Sequence, residues 1–330
     1  MTPGTYRPIG PLERLRRTGG TGMLKNRFAG MLRRRKSDAV RMLNDEGLSF
    51  GTLYALRPEI EKAGIAGELS EKNRAALEIC GKIAQDPKLL ASGGIDYGDQ
   101  TVHSAFLWMF QTGARDDGLG EAYDEALDLC ASVLLRRYRE TAILPELVDL
   151  IFRRNRKRGY LHDLIWAFFE SRDPGALRYI AKYLRSENAR DTELACLLLH
   201  LPRAGSSMRE KANLYRSYLN WLDENKPFLY FTGESLQSSN QPEICGVDLG
   251  AKYLCKNISP RSRRPADPLT QQEQESLSCF ARTKEPDRAI LSSYSRRLHD
   301  KDPARWEQWI HSPVEKQIET AKGETGRRAL

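Results

Sequence analysis

Apolar residues recur at helical spacing along most of the chain, and the segments between them carry clear stop signals. Leu24, Phe28, Met31, Leu32, Val40 and Leu43 form an early stripe, interrupted by the basic block Arg33, Arg34, Arg35 and Lys36. Behind Ser70, a residue suited to cap a helix, Ala76, Leu77, Cys80 and Ile83 stand at i, i+1, i+4 and i+7, the spacing of one buried face. Three glycines punctuate "ASGGIDYGDQ" and predict a loop, after which "TVHSAFLWMF" reads as a short helix ending near Gly113. His103 on that helix, beside large apolar groups, reads as a structural histidine.

From Leu119 the pattern becomes regular. Glu121–Arg139 predicts a long helix burying Tyr123, Ala126, Leu127, Cys130, Val133 and Leu134. Pro145 opens another helix at its first turn, where a missing N–H costs nothing. Tyr160–Glu170 places Leu161, Leu164, Ile165 and Phe168 on one face. Asp173 and Pro174 then start a helix with the stripe Leu177, Ile180, Ala181 and Leu184, and Asp191–Leu201 follows as a helix apolar on most sides. Such a helix needs neighbours on most sides. Stacked helical hairpins supply them, since each hairpin leaves a flank that the next one covers. A compact helical bundle would use the same stripes.

"DPGALRYIAKYL" followed by "RDTELACLLLHL" resembles a HEAT-type repeat in its Asp-Pro start, its spaced Leu and Ile, and its Ala-containing second helix. The resemblance covers residues 172–202 and extends more loosely over 143–171. Thr192 and Glu193 stand where that repeat commonly has a Val-Arg pair. The resemblance implies an all-α fold of stacked hairpins, an α-solenoid that binds partners along a curved surface, and it carries no catalytic residues.

Past Pro202 the character changes. Met208–Glu224 predicts a helix with Leu214, Tyr218, Trp221 and Leu222. The next stretch is loop-rich, with aromatics able to cover the open end of a stack, and "SPRSRRPADP" reads as a basic linker. The organisation expected is therefore a disordered basic arm over 1–21, an N-terminal helical region over 22–112, and HEAT-like repeats over 113–225. A loop-rich cap and Pro/Arg linker over 226–268, short helices over 269–320 and a disordered tail over 321–330 complete it.

Charge sharpens this picture. The 330 residues carry a net +8, but residues 1–41 hold eleven Arg or Lys against two acids, a net +9, so the remainder is close to neutral. A basic amphipathic helix there suits an anionic membrane surface, nucleic acid or an acidic partner, and an Arg-rich, acid-poor segment also resembles an organellar transit peptide. The bland alternative is a helix whose apolar side packs on the body. Candidate binding residues in this segment are Arg33, Arg34, Arg35, Lys36 and Arg41. "RRNRKR" adds Arg153, Arg154, Arg156, Lys157 and Arg158 at the junction of two predicted helices, with Tyr160 and Trp166 beyond as stacking groups that nucleic acid would use.

Apolar runs are too short to span a bilayer, and six scattered cysteines suit a reducing compartment, which makes the cytoplasm the expected location. Cys196 and His200 are i, i+4 on one predicted helix, and Cys245, Cys255, Cys279 and His299 could hold zinc on paper. Neither spacing closes a four-ligand site, so no metal and no cofactor is expected. No nucleophile elbow, phosphate loop or kinase motif is present. The leading expectation is a non-enzymatic scaffold binding a protein partner. The alternatives are a nucleic-acid-binding protein using the two basic segments, or a glycosylase by analogy with the DNA alkylation-repair enzymes that use HEAT-like repeats.

Overall fold

The computed structural model describes residues 9–85, 95–235 and 242–326. The chain is mostly helical and divides into two compact units, Met1–Ser171 and Arg172–Leu330. That division falls inside the region expected to form one continuous run of repeats over 113–225.

In the first unit, α1 (Pro11–Arg34) begins with Pro at its first turn and kinks at Gly20, whose φ of 72° suits glycine. It packs on α2 (Lys36–Leu43) and α3 (Phe50–Ala63). Leu12, Leu24 and Phe28 are buried, so the described part of the expected arm is a packed helix. Burial of apolar side chains outweighs the local Gly and Arg content, which by itself favours disorder; residues 1–8 lie outside the described residues. Ser49 caps α3 by accepting from Thr52 N–H, and Gly64 ends it in the left-handed region. Next come α4 (Glu71–Gln85) and α5 (Gln100–Gly113), the latter capped by Asp99. The predicted glycine loop lies partly outside the described residues.

Helix α6 (Glu121–Val133) passes into a π turn over Leu134–Tyr138 and stops at Arg139, so the predicted long helix forms with an altered last turn. The unit closes with α7 (Leu144–Lys157) and α8 (His162–Glu170). Phe50 stacks on Tyr123 at 5.2 Å between ring centroids, and Tyr123 donates its hydroxyl proton to Gly113 O. His103 lies against Tyr138 at 4.3 Å, a packed position.

In the second unit the Asp-Pro start folds as expected. Asp173 accepts from Gly175 N–H, and Pro174–Ala176 makes one tight turn before α9 (Leu177–Ala181) and a second tight turn over Lys182–Arg185. Leu177, Ile180, Ala181 and Leu184 are buried. Helix α10 (Ala189–Leu198) buries Leu194, Ala195, Cys196 and Leu198 but exposes Glu193 and Leu197, so it is less enclosed than its composition predicts. Helix α11 (Met208–Asn225) starts with a reciprocal Ser207–Glu210 capping box.

The mostly helical fold holds one small sheet at this point. β1 (Leu229–Phe231) and β2 (Cys245–Val247) form a two-stranded antiparallel sheet with Tyr230 opposite Gly246. A Cβ at Gly246 would stand 2.9 Å from the Tyr230 hydroxyl, so glycine lets that ring cross the partner strand. The chain continues through α12 (Leu249–Tyr253), α13 (Gln271–Ala281), α14 (Glu285–Lys301), α15 (Pro303–Ile310) and α16 (Val314–Gly326). Tyr253, Phe280, Leu291, Tyr294, Leu298 and Trp309 build their shared core. Helix α16 extends well into the expected tail. No helix among the described residues is long and apolar enough to cross a membrane.

Candidate functional site

The basic residues named from sequence fall into two sets with different environments. Arg33, Arg34, Arg35, Lys36 and Arg41 are exposed where α1 meets α2. Arg41 pairs with Asp38 at 3.1 Å and Lys36 with Glu68 at 2.6 Å, while Arg35 lies 4.0 Å from Asp38. Arg33 and Arg34 have no carboxylate partner among the described residues. Their place in the last turn of α1 suits the negative end of its dipole, so location alone accounts for part of this charge.

"RRNRKR", expected at the junction of two helices, is the end of α7, with Arg158 in the left-handed position that terminates it. Arg156, Lys157 and Arg158 are exposed. Arg153 donates to Ala114 O at 2.7 Å. Arg154 is 4% exposed and is removed from the binding set. Its Nε donates to Asp117 at 2.7 Å and its Nη1 to Asp128 at 2.9 Å and to Tyr160 O at 3.1 Å. Burial pushes the Asp128 carboxyl up to about 7 even against the hydrogen bonds and charge of Arg154. This cluster fastens α7 to the turn that precedes α6 and to the middle of α6. Trp166 also leaves the set of open stacking groups, because the Arg136 guanidinium lies 4.9 Å from its ring centre. Tyr160 remains exposed and donates to Asp163.

A second buried ionic cluster secures the N-terminal helix. Glu13, 2% exposed, accepts from Ser49 Oγ at 2.6 Å, from Thr52 Oγ1, from Arg17 Nε at 2.6 Å and from Arg16 Nη2 at 3.0 Å. Burial alone would raise this carboxyl, but the hydrogen bonds from Ser49, Thr52 and Arg17 and the charge of Arg16 hold it down at about 2. Arg16 reaches on to Asp116 at 2.7 Å, and Asp116 fits because Gly51 has no Cβ, which would stand 2.4 Å from the carboxylate. Both clusters are closed on themselves, so their charges serve the fold.

The open site lies in the second unit. A cleft of about 450 Å³ runs between α11, the residues after α10 and strand β2. Leu214, Ser217, Tyr218 and Trp221, at i, i+3, i+4 and i+7, present one face of α11 to it. Leu198 to Leu201 and Cys245 to Val247 form the other walls. Trp221 is 40% exposed although large and apolar. His200 holds a left-handed φ of 51° where the chain leaves α10. Burial pushes the Cys245 thiol up to about 11 and raises the Tyr218 hydroxyl, so both line the cleft as neutral groups at neutral pH. Such walls suit an apolar occupant held by few polar contacts.

The backbone of β2 adds direction to this cleft. Asp248 N–H bonds Phe228 O at 2.8 Å and Thr232 N–H bonds Ile244 O at 3.0 Å. With Tyr230 opposite Gly246, the groups pointing at β1 therefore come from Ile244, Gly246 and Asp248. Cys245 and Val247 point their N–H and C=O groups the other way, and these have no hydrogen-bond partner among the described residues. The far edge of β1 is covered: Phe231 N–H bonds Pro260 O and Ile258 N–H bonds Pro227 O, both at 3.0 Å.

Sequence reasoning assigned this region to an irregular cap and missed the site. The available signals were "PFLYF" and "PEICGVD", short runs of strand-forming residues after a proline, the second ending at the Asp248 helix cap. The paper zinc set is dispersed: Cys245 lines the cleft, whereas Cys255 lies 3.8 Å from Ser295 on α14. Among the described residues no three His, Cys, Asp or Glu side chains stand together as metal ligands. The sequence matches no protein-family profile, no curated protein and no solved structure.

Proposed function

We propose that the chain is a non-enzymatic helical-repeat scaffold that binds a protein partner, and that the cleft beside β2 is its contact site. The observation that supports this reading is an open, apolar cleft, with Trp221 half-exposed at its wall, on a chain whose surface is otherwise rich in charge. Apolar patches bordered by polar residues mark interaction surfaces. The Asp-Pro start and buried stripe of α9, followed by α10 and α11, fit a HEAT-type arrangement in which successive helices cover one another. On this reading the cleft is the flank left uncovered.

The test compares what co-purifies with the full chain from its own cells. A defined protein retained by wild type, lost with Leu214→Glu and Val247→Glu together, and kept with Arg33→Glu, Arg34→Glu and Lys36→Glu together supports the cleft. A partner indifferent to the cleft pair counts against it.

A second reading rests on Arg33 and Arg34, exposed and without a carboxylate partner among the described residues. These residues, with Arg35, Lys36 and Arg41, form a basic elbow able to contact phosphates. It is favoured instead if nucleic acid co-purifies and is lost with the basic variant, with binding that weakens steeply as salt rises.

A further inference from the structure

We infer that the partner enters the cleft as an extended peptide, which adds a strand to the open edge of β2 and lodges an apolar side chain against α11. This rests on the protein-binding reading of the cleft and specifies its chemistry.

Three features of the same site support it. Cys245 and Val247 each offer an N–H and a C=O outward from the sheet, two residues apart, the repeat at which a neighbouring strand presents its own groups, about 6.5–7 Å. A small apolar ligand would fill the cleft but leave these groups unpaired, and a helix has its backbone bonds already closed. An extended chain satisfies them in order. The opposite edge of the sheet, along β1, is already covered by the segment around Ile258 and Pro260, so addition is restricted to one side. Finally, the apolar wall adjoins this open edge: Leu214 and Trp221 of α11 line the same cleft as Val247. A strand added there directs alternate side chains toward opposite faces, so every second residue of the peptide can meet the α11 face.

The chemistry of the occupant follows. It is a proline-free stretch, apolar at alternate positions, with β-branched or aromatic residues favoured because they suit strand geometry. No Asp, Glu, Lys or Arg lines the cleft, so an acidic or basic side chain of the peptide finds no carboxylate, ammonium or guanidinium there to pair with.

The experiment uses the full chain and a phage-displayed library of random peptides. Enriched peptides are then synthesised and N-methylated at one backbone position at a time. The expected result is an alternating pattern: methylation at every second residue weakens binding about tenfold or more, and methylation between them has little effect. Val247→Pro removes one outward N–H yet spares the Gly246 and Asp248 bonds to β1, so it should weaken the same peptides by a comparable factor. Should that variant fail to fold, the N-methyl pattern on wild type decides alone. Peptides that depend on Leu214 and Trp221 but show a flat or helical methylation pattern overturn strand addition while leaving the cleft as the binding site. Peptides indifferent to the cleft, or no enrichment from the library, overturn both.

Discussion

Two places in the molecule, the ionic clusters of the first unit and the cleft of the second, handle polar groups in opposite ways. In the first, buried charges are enclosed by partners: Glu13 with Arg16, Arg17, Ser49 and Thr52, and Arg154 with Asp117 and Asp128. At the cleft, no Asp, Glu, Lys or Arg lines the walls, and the outward backbone groups of Cys245 and Val247 have no partner among the described residues. A buried ion pair contributes little net stability compared with apolar packing, yet loss of one member is severe. An unpaired strand edge costs little while water reaches it, and it is a template for another chain. The difference teaches that high charge density in this protein does not by itself locate a binding surface. Arg154 belongs to its most basic run of residues and is among its most enclosed side chains.

The largest effect expected from breaking this contrast is at Arg154. Arg154→Leu strands Asp117 and Asp128 without a cation and should destabilise the protein by about 3–5 kcal/mol in denaturant titration. A loss below about 1 kcal/mol, typical of a surface pair, would show that the cluster is solvated.

In the second unit the buried stripe of α9 supplies apolar support. Leu177→Ala, at a position 1% exposed, should cost about 2–5 kcal/mol. A change near zero would mean that α9 is not packed as described.

The Glu13 cluster gives the first unit a pH signature. The carboxyl is held at about 2 in the fold against an ordinary value of 4.5, so the unfolded chain binds its proton first as pH falls. Its contribution is therefore fully present above about pH 4.5 and is lost progressively down to about pH 2. Glu13→Gln should flatten the acid limb of a thermal-stability profile over that window. An unchanged slope would remove Glu13 as a charged anchor. The same anchor, with buried Leu12, Leu24 and Phe28, means that deleting residues 1–41 should unfold much of the first unit rather than release a separable arm.

The smallest effect concerns the exposed elbow. Arg33→Glu with Arg34→Glu should lower the unfolding free energy by no more than about 1–2 kcal/mol, the helix-dipole part of their role, while lowering the salt needed to elute the chain from heparin. A large stability loss would place these residues among the structural charges.

Helix positions were legible wherever a stripe and a cap coincided. Pro145, Asp173–Pro174 and the Tyr123-to-Leu134 face all stand where the spacing puts them, because 3.6-residue periodicity reports local burial directly. The pairing of Arg154 with Asp117 and Asp128 was not legible, since it joins residues 37 and 26 positions apart. Nor was the sheet, whose strands have three residues each and lie too far apart for a hairpin signal. The early Gly and Arg content of α1 misled for a related reason: composition reports local preference, and Leu12, Leu24 and Phe28 are held by packing with other elements. The cleft was half visible, in Leu214, Tyr218 and Trp221 on one helical face, but its second wall depended on the unseen strand.

Amide hydrogen exchange of the free full-length chain tests the central claim most directly, because it reports pairing residue by residue along β2. If the edge beside the cleft is open, Gly246 and Asp248 exchange slowly, held by β1, while Cys245 and Val247 exchange close to the unprotected rate. Equal protection at all four amides would show that another segment already covers the edge, contradicting both the open strand and the peptide it is argued to receive.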